Sequence, residues 1–497
     1  MLKGLEPENV FSYFEEICSI PHGSGNVGQI SNYLVSFAQK RNLEYCQDET
    51  GNVVIWKEAS KGYEGHPAVM LQGHMDMVAV KEAGCAIDME KEGLKLKQED
   101  GWLSAEGTSL GGDDGIAIAY GLALLDGEGY QHPPIELVVT VDEEVGMDGA
   151  RALSAEPLKA RRLINLDSEE EGIFLSGCAG GARVNMDFHF EKKEKKGLLC
   201  EVGISGLQGG HSGEEIHRER GNAICLLGRI LGTLEKELEL CLVKVEGGVA
   251  DNAIPPSAKA EILVTAYDDG KEEATIVSDE LFERECREKM TSACRRLQRE
   301  LATELAEKDR GVQVTCSFTG MEVTEAVGEA LSSRMIYLLY TLPYGVQAMS
   351  AAMHGLVETS LNPGLLSMGD EEMLIGISVR SSLESAKRAL VGKLKALAEL
   401  AGAETKVSGD YPGWAYQKES PLRDKMVEVY KGLYGKEPRI RAIHAGVECG
   451  LLIDKMPGLD CVSIGPDMKD IHTPKEALSI ASVGRVWEYL LKVLEAL

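Results

Sequence analysis

Apolar and polar positions alternate along this chain with two periods, and the regions where each dominates lay out its elements. Val10, Phe11, Phe14, Ile17 and Cys18 recur at helical spacing between Pro7 and Pro21, which predicts a helix that lays one face on a sheet. A second amphipathic helix is expected over residues 27–41, followed by strands over 52–56 and 68–71. The run IELVVTV over 135–141 is nearly continuous and rich in β-branched residues, as a strand buried on both faces should be. Two more such strands follow, RRLINL just before Asp167 and CVSIG over 461–465, and a strongly apolar helix should begin near Ile116.

Between these elements the pattern changes. Strands over 183–190 and 198–204 flank the charged tip EKKEKK, and a helix over 222–238 follows. A long helix over 281–307 sets Met290, Cys294, Leu297, Leu301 and Leu305 on one stripe. That stripe predicts packing on a sheet rather than a coiled coil, because no charged flanks sustain it over several heptads. The fold class that results is α/β: a central mixed sheet with helices on both faces, plus an inserted α+β unit.

Length and composition narrow the partners. A chain of 497 residues exceeds a single core and implies two or three domains. Its net charge of −28 excludes a polyanionic partner, since nucleic-acid binding needs a basic face that releases counterions. No apolar run is long enough to span a bilayer, and the acidic opening segment lacks the basic and apolar regions of a signal peptide, so no membrane role and a cytoplasmic location are expected. The 12 cysteines contain no CxxC pair and read as small buried hydrophobes.

Candidate chemistry gathers at the ends of the strands, where open α/β sheets collect their ligands. The strand before His74 and Asp76 presents these two side chains in the same direction, so the Asp76 carboxylate could hydrogen-bond one ring nitrogen of His74 while the other binds a metal. A glycine turn presents Asp113 and Asp114 at the start of the apolar helix, with Asp114 read as a helix cap. Strand 135–141 runs into Asp142, Glu143 and Glu144, the next strand ends at Asp167, and strand 461–465 leads to His472. Apolar strands that repeatedly end in acid call for a cation. Two histidines and three carboxylates suit a pair of zinc ions better than calcium or magnesium, and Asp113 is placed to bridge them. Of the adjacent Glu143 and Glu144, whose side chains diverge, one is a ligand and the other is placed to act as a base. The Gly-rich segment HGSGN over 22–26 is read as a turn between helices, since no strand precedes it.

Together the motifs HMDM, GTSLGGDDG, TVDEEVGMDGA, LINLDSEEEG, SGCAGG, GGHSGEEIH, GGVADNAIP, VETSLN, VRSS, HAGVECG and SIGP resemble, in order and over nearly the whole chain, those of the aminoacyl-histidine dipeptidases. These peptidase D or bacterial carnosinase-like enzymes lie within the two-zinc amidohydrolases that include tripeptidase T and aminoacylase. The resemblance implies two Zn²⁺ per chain, with Mn²⁺ or Co²⁺ as substitutes: His74, Asp113 and Asp167 on one ion, and His472, Asp113 and Glu144 on the other. It implies that Asp76 orients His74 and that Glu143 is the general base. It also implies a lid domain over 183–410 inserted between catalytic parts 1–182 and 411–497. From the lid, His211 is expected to reach the substrate carbonyl, and Asn252 and Arg380 to bind the polar ends of a small peptide. GGDDG stands where relatives have GADNG, and residues 80–92 match poorly; both bear on substrate preference. Hydrolysis of dipeptides, including β-alanyl-histidine, is the leading expectation. A tripeptidase or N-acyl amino acid deacylase is the alternative. A metal-bound protein without catalysis is disfavoured, having no use for Glu143. The oligomeric state, a homodimer included, stays open.

Overall fold

The computed structural model describes residues 2–265 and 278–497. The chain divides into two compact units, residues 1–178 with 414–497, and residues 179–413. The family resemblance places these boundaries at 182/183 and 410/411. The difference has a hydrogen-bonding cause: the strand Gly180–His189 already pairs at Gly181 with Tyr411, so the second unit's sheet claims residues on both sides of the expected junctions.

The first unit is built on an eight-stranded mixed sheet. Its order is Glu44–Gln47, Val53–Lys57, Ile135–Thr140, Val69–His74, Arg162–Asn165, Asp460–Ser463, Ile173–Cys178 and Arg439–Ile443. The central strands Ile135–Thr140, Val69–His74, Arg162–Asn165 and Asp460–Ser463 run parallel, with His74 opposite Thr140, Gln72 opposite Asn165, and Asn165 opposite Ser463. This register brings the carboxyl ends of four strands to one edge.

Alternation along the strands sorts their side chains onto two faces. Val69, Leu71, Leu137, Val139 and Ile164 pack with the helices Glu8–Cys18, Gly28–Lys40, Gly112–Asp126 and Ile480–Ala496. Met70, Val138, Leu163 and Cys461 pack with Cys449, Leu452 and Met456 in and just beyond the short helix Cys449–Lys455. Helices thus cover both faces, as the burial of the strands requires. A small four-stranded sheet of Leu96–Glu99, Trp102–Ala105, Ala477–Ser479 and Met468–Lys469 completes the unit.

Among the described residues the second unit carries a nine-stranded antiparallel sheet. Four α-helices among the described residues accompany it, Ala223–Leu234, Asp279–Glu304, Glu329–Thr341 and Glu384–Ala401. The long helix buries Met290, Cys294, Leu297 and Leu301 on one stripe and joins the core of this sheet. No helix among the described residues is long and apolar enough to cross a membrane.

Candidate metal centre

The strand Val69–His74 is buried at all six positions and carries His74 as its last residue. The helix Gly112–Asp126 crosses close to it. A Cβ at Gly73 would fall 2.4 Å from Asp114 Oδ2 and 2.6 Å from Ala117 Cβ, so only glycine admits this approach. Gly111 turns the chain at φ +67, and a Cβ there would meet Met77 Sδ at 2.9 Å and His22 Nε2 at 3.1 Å. The regular helix starts only after Asp113 and Asp114, which have non-helical dihedrals, and the peptide between them is cis.

Asp113 stands between two histidines. His74 Nε2 lies 3.1 Å from its Oδ1, and His472 Nε2 lies 3.2 Å from its Oδ2. Each histidine faces a second carboxylate, His74 with Asp167 Oδ1 at 3.6 Å and His472 with Glu144 Oε1 at 2.8 Å. Ligand atoms of His74, Asp113 and Glu144 lie within 4.8 Å of one another, as do those of His74, Asp114 and Asp167.

The protonation pattern tests whether a cation fits here. His74 Nδ1 is 3.0 Å from the main-chain carbonyl of Asp76, which can only accept, so Nδ1 carries the hydrogen. Neutral His74 would then turn the Nε2 lone pair toward two carboxylates, which requires a proton or a metal ion between them. The donor separations of 2.8, 3.1, 3.2 and 3.6 Å bracket the ~3.4 Å between ligand atoms on a tetrahedral ion bonded at about 2.1 Å. The residues present fit a divalent metal at both histidines.

Electrostatics agree. Burial raises Asp167 to about 6 and pushes Glu143 well above the usual carboxylate range. Burial opposes ionisation of Asp113 as well, yet hydrogen bonds from His472 and His74 hold it far below its ordinary value. Hydrogen bonds that His472 donates to Asp113 first and to Glu144 second raise it to about 10. So many acids in one dry edge favour cations over protons as their partners.

One expectation gains detail and another needs correction. Asp76 faces His74 Nδ1 with both its main-chain carbonyl, at 3.0 Å, and a carboxylate oxygen, at 3.5 Å. The carboxylate also braces the neighbouring turn, accepting the main-chain N–H of Glu143 at 3.0 Å and of Glu144 at 3.3 Å, and the Ser24 hydroxyl at 2.8 Å. Asp114 is not a helix cap. It is fully buried, its Oδ2 accepts the His74 N–H at 3.3 Å, and its Oδ1 has no hydrogen-bond partner.

The segment HGSGN is also more than a turn. Besides Ser24 on Asp76, the Gly25 N–H reaches Asp142 Oδ1 at 2.6 Å. Glu476, which sequence reasoning missed, takes the N–H groups of Leu110, Gly111, Gly112 and Asp113 at 2.7, 3.1, 2.8 and 3.4 Å. It ties the loop bearing His472 to the loop bearing Asp113.

In the second unit, His211 ends the short strand Gly210–His211 opposite Ala253. Its Nδ1 accepts the N–H groups of Glu214 at 3.1 Å and Gly213 at 3.3 Å, so Nε2 carries the hydrogen. Burial, and then the charge of Arg380, lower its pKa. Arg380 sits on the strand Glu372–Ser381 with its Nε buried and unpartnered and one terminal nitrogen 3.4 Å from the Tyr411 hydroxyl. Asn252 is exposed, and its carbonyl accepts the Ser212 N–H at 2.9 Å.

Comparison with known proteins fits this geometry. Residues 70–496 match the sequence pattern of peptidase family M20/M25/M40. The chain belongs to that family. It is a metallopeptidase. It is 37% identical to the cytosol non-specific dipeptidase of Escherichia coli (strain K12) over 496 residues, 99% of this chain and 98% of the relative. The aminoacylhistidine dipeptidase of Vibrio alginolyticus superposes with a TM-score of 0.91 at 35% identity, covering 100% of this chain and 98% of that one. A tripeptidase of Staphylococcus aureus shares the fold alone, at a TM-score of 0.55 and 16% identity over 99% of this chain and 98% of the other.

Proposed function

We propose that this metallopeptidase hydrolyses unblocked dipeptides, Xaa-His among them, at a centre of two zinc ions. The observation that carries the reading is the double face of Asp113, each oxygen turned to a different histidine and each histidine to a further carboxylate. His74, Asp113 and Asp167 would hold one ion, and His472, Asp113 and Glu144 the other. The dipeptidase names of the relatives from E. coli and V. alginolyticus, both matched over nearly their whole length, support the substrate class. The cytosol is the proposed compartment, as the name of the E. coli relative suggests.

When bound, such ions polarise the scissile carbonyl and acidify the attacking water. The chain's own part is proton management. Glu143, a half-buried carboxyl pushed upward by desolvation, takes the proton from the attacking water and delivers it to the leaving amine. Its main chain is fixed by Asp76, which keeps the base and the adjacent Glu144 in one braced turn. His211 would donate its Nε2 proton to the developing oxyanion. Arg380, with an unpartnered buried Nε, suits the carboxylate of a peptide, and Asn252 another polar group of the substrate.

Arg380 as a fixed anion partner favours dipeptides, because a longer peptide displaces its carboxylate and leaves a half-buried cation unpaired. Turnover by the zinc-loaded protein on a panel of dipeptides, tripeptides and N-acyl amino acids tests the reading, with elemental analysis of bound metal. Dipeptides should be cleaved fastest, with two zinc ions per chain. Faster cleavage of tripeptides than of any dipeptide would overturn the substrate class. One metal that titration cannot raise to two would sink the bridged centre.

A further inference from the structure

One buried acid beside the centre has no part in this mechanism. Glu448 lies in HAGVECG, immediately before the helix Cys449–Lys455, and is fully buried. Its Oε2 accepts a hydrogen bond from Gln72 Nε2 at 2.5 Å and another from the Thr140 hydroxyl at 2.6 Å, while its Oε1 has no partner. Gln72 in turn accepts from Asn165 Nδ2 at 2.7 Å through its own oxygen. Gln72, Thr140 and Asn165 are all buried.

The placement of these three side chains is systematic. They lie two residues beyond Met70, Val138 and Leu163, which pack with Leu452 on the face covered by the helix that follows Glu448. They therefore continue that face toward the carboxyl edge of the sheet. Two residues further on stand His74, Asp142 just before the glutamate pair, and Asp167. An apolar side chain at each position would have packed without cost, whereas buried polar groups are stabilising only when they are bonded to one another. A carboxyl that joins two neighbouring strands directly and a third through Gln72 restrains how far each strand advances relative to the next.

We propose that Glu448 is a positioning residue for the metal centre, cross-linking the three strands that present His74, the Glu143–Glu144 turn and Asp167. This rests on the ligand reading above. Groups that hold metal ligands rather than the metal are worth about 10- to 100-fold in metal affinity or activity. Glu448→Leu should lose zinc affinity by about that factor. It should also lower kcat more than it raises KM, because the reacting groups are displaced while His211, Asn252 and Arg380 are untouched. Glu448→Gln keeps an oxygen for both donors and should recover most of the loss.

The test is zinc affinity by chelator competition, with kcat and KM measured separately, on the wild type, both Glu448 variants, Thr140→Val and His74→Ala. Thr140→Val removes one donor at nearly constant volume, and should cost several-fold in affinity even if the leucine variant fails to fold. Unchanged zinc affinity in His74→Ala would refute the ligand reading itself. A loss in His74→Ala with wild-type affinity in both Thr140→Val and folded Glu448→Leu would overturn the positioning role alone. A glutamine variant as deficient as the leucine variant would assign the effect to charge and overturn it as well.

Discussion

The half of the centre built on His74 and the half built on His472 share Asp113 but are made of different material. His74 ends a strand paired on both sides, its side chain 1% exposed, with both ring nitrogens engaged. His472 stands in a loop at φ +59 with its side chain 44% exposed, and only its Nε2 contacts belong to the centre. The first half is positioned by sheet register. The second depends on local ties, Glu476 across to the Asp113 loop and Asp76 beneath the Glu143–Glu144 turn. Regions with fewer buried contacts open at lower free energy, so a metal on the His472 side should exchange first.

The most drastic way to probe the comparison leaves both halves intact and removes the base proposed to act between them. Glu143→Gln should keep both metals and near-normal substrate affinity, yet lower kcat by a factor on the order of 10² to 10⁴. Steady-state kinetics with metal analysis checks it. Metal loss in this variant would mean that Glu143 rather than Glu144 is the ligand.

The comparison itself is broken or kept by the two histidines. His74→Ala removes a proposed ligand from the buried half and should cost more than the roughly 100-fold in metal affinity expected for an outer contact. It should also lower the melting temperature, since it opens a cavity behind three carboxylates. His472→Ala should retain one tightly held metal and an almost unchanged melting temperature. Equal metal loss in both variants would show the halves to be equivalent and the contrast in burial irrelevant.

How much of this was legible in the sequence follows the same division. Strand ends that carry His74, Asp167 and the glutamate pair, and the helix start that carries Asp113, announce themselves because a buried apolar run bounded by acid is unusual, and the structure brings them together. The braces do not announce themselves. Ser24 meets Asp76 across 52 residues, Leu110 meets Glu476 across 366, and Gln72 meets Glu448 across 376. No periodicity links such pairs, and Glu476 beside Lys475 reads as a solvated loop acid. Glu448 offered a faint signal, a lone acid between Val447 and Cys449. Asp114 was misread because an acid at a helix start is usually a cap; the close approach permitted by Gly73 turned it to the His74 strand instead. The insertion was visible as a change of pattern, but its ends were set by sheet pairing that only the fold reveals.

A finer test weakens the exposed half without deleting it. Glu144→Gln replaces an anion with a neutral amide beside His472, and should reduce zinc affinity at that half by roughly tenfold or more. Added zinc should then restore part of the activity, as it should not in Glu143→Gln. Titration of activity against free zinc for both variants makes the distinction. Rescue of the Glu143 variant alone would reverse the assignment of the pair.

The smallest effect sharpens the claim that the His74 half is dry. His22 forms part of its wall, fully enclosed, with Nδ1 2.6 Å from the Ile20 carbonyl and Nε2 unpartnered. Burial lowers its pKa below the ordinary 6.5, against the hydrogen bond to Ile20 and the charge of Asp76, and with the charge of His74. The folded protein therefore keeps His22 neutral where the unfolded chain has begun to protonate it. Its contribution to stability is fully present above the unfolded pKa and is lost as pH falls from there through the folded value. Thermal midpoints measured at about pH 7.5 and about pH 5.5 should fall further in the wild type than in His22→Asn. Asparagine can still donate to the Ile20 carbonyl but has no proton to gain. An identical fall in the two proteins would mean that water reaches the His22 ring, and that the buried half is less sealed than its 1% exposure at His74 implies.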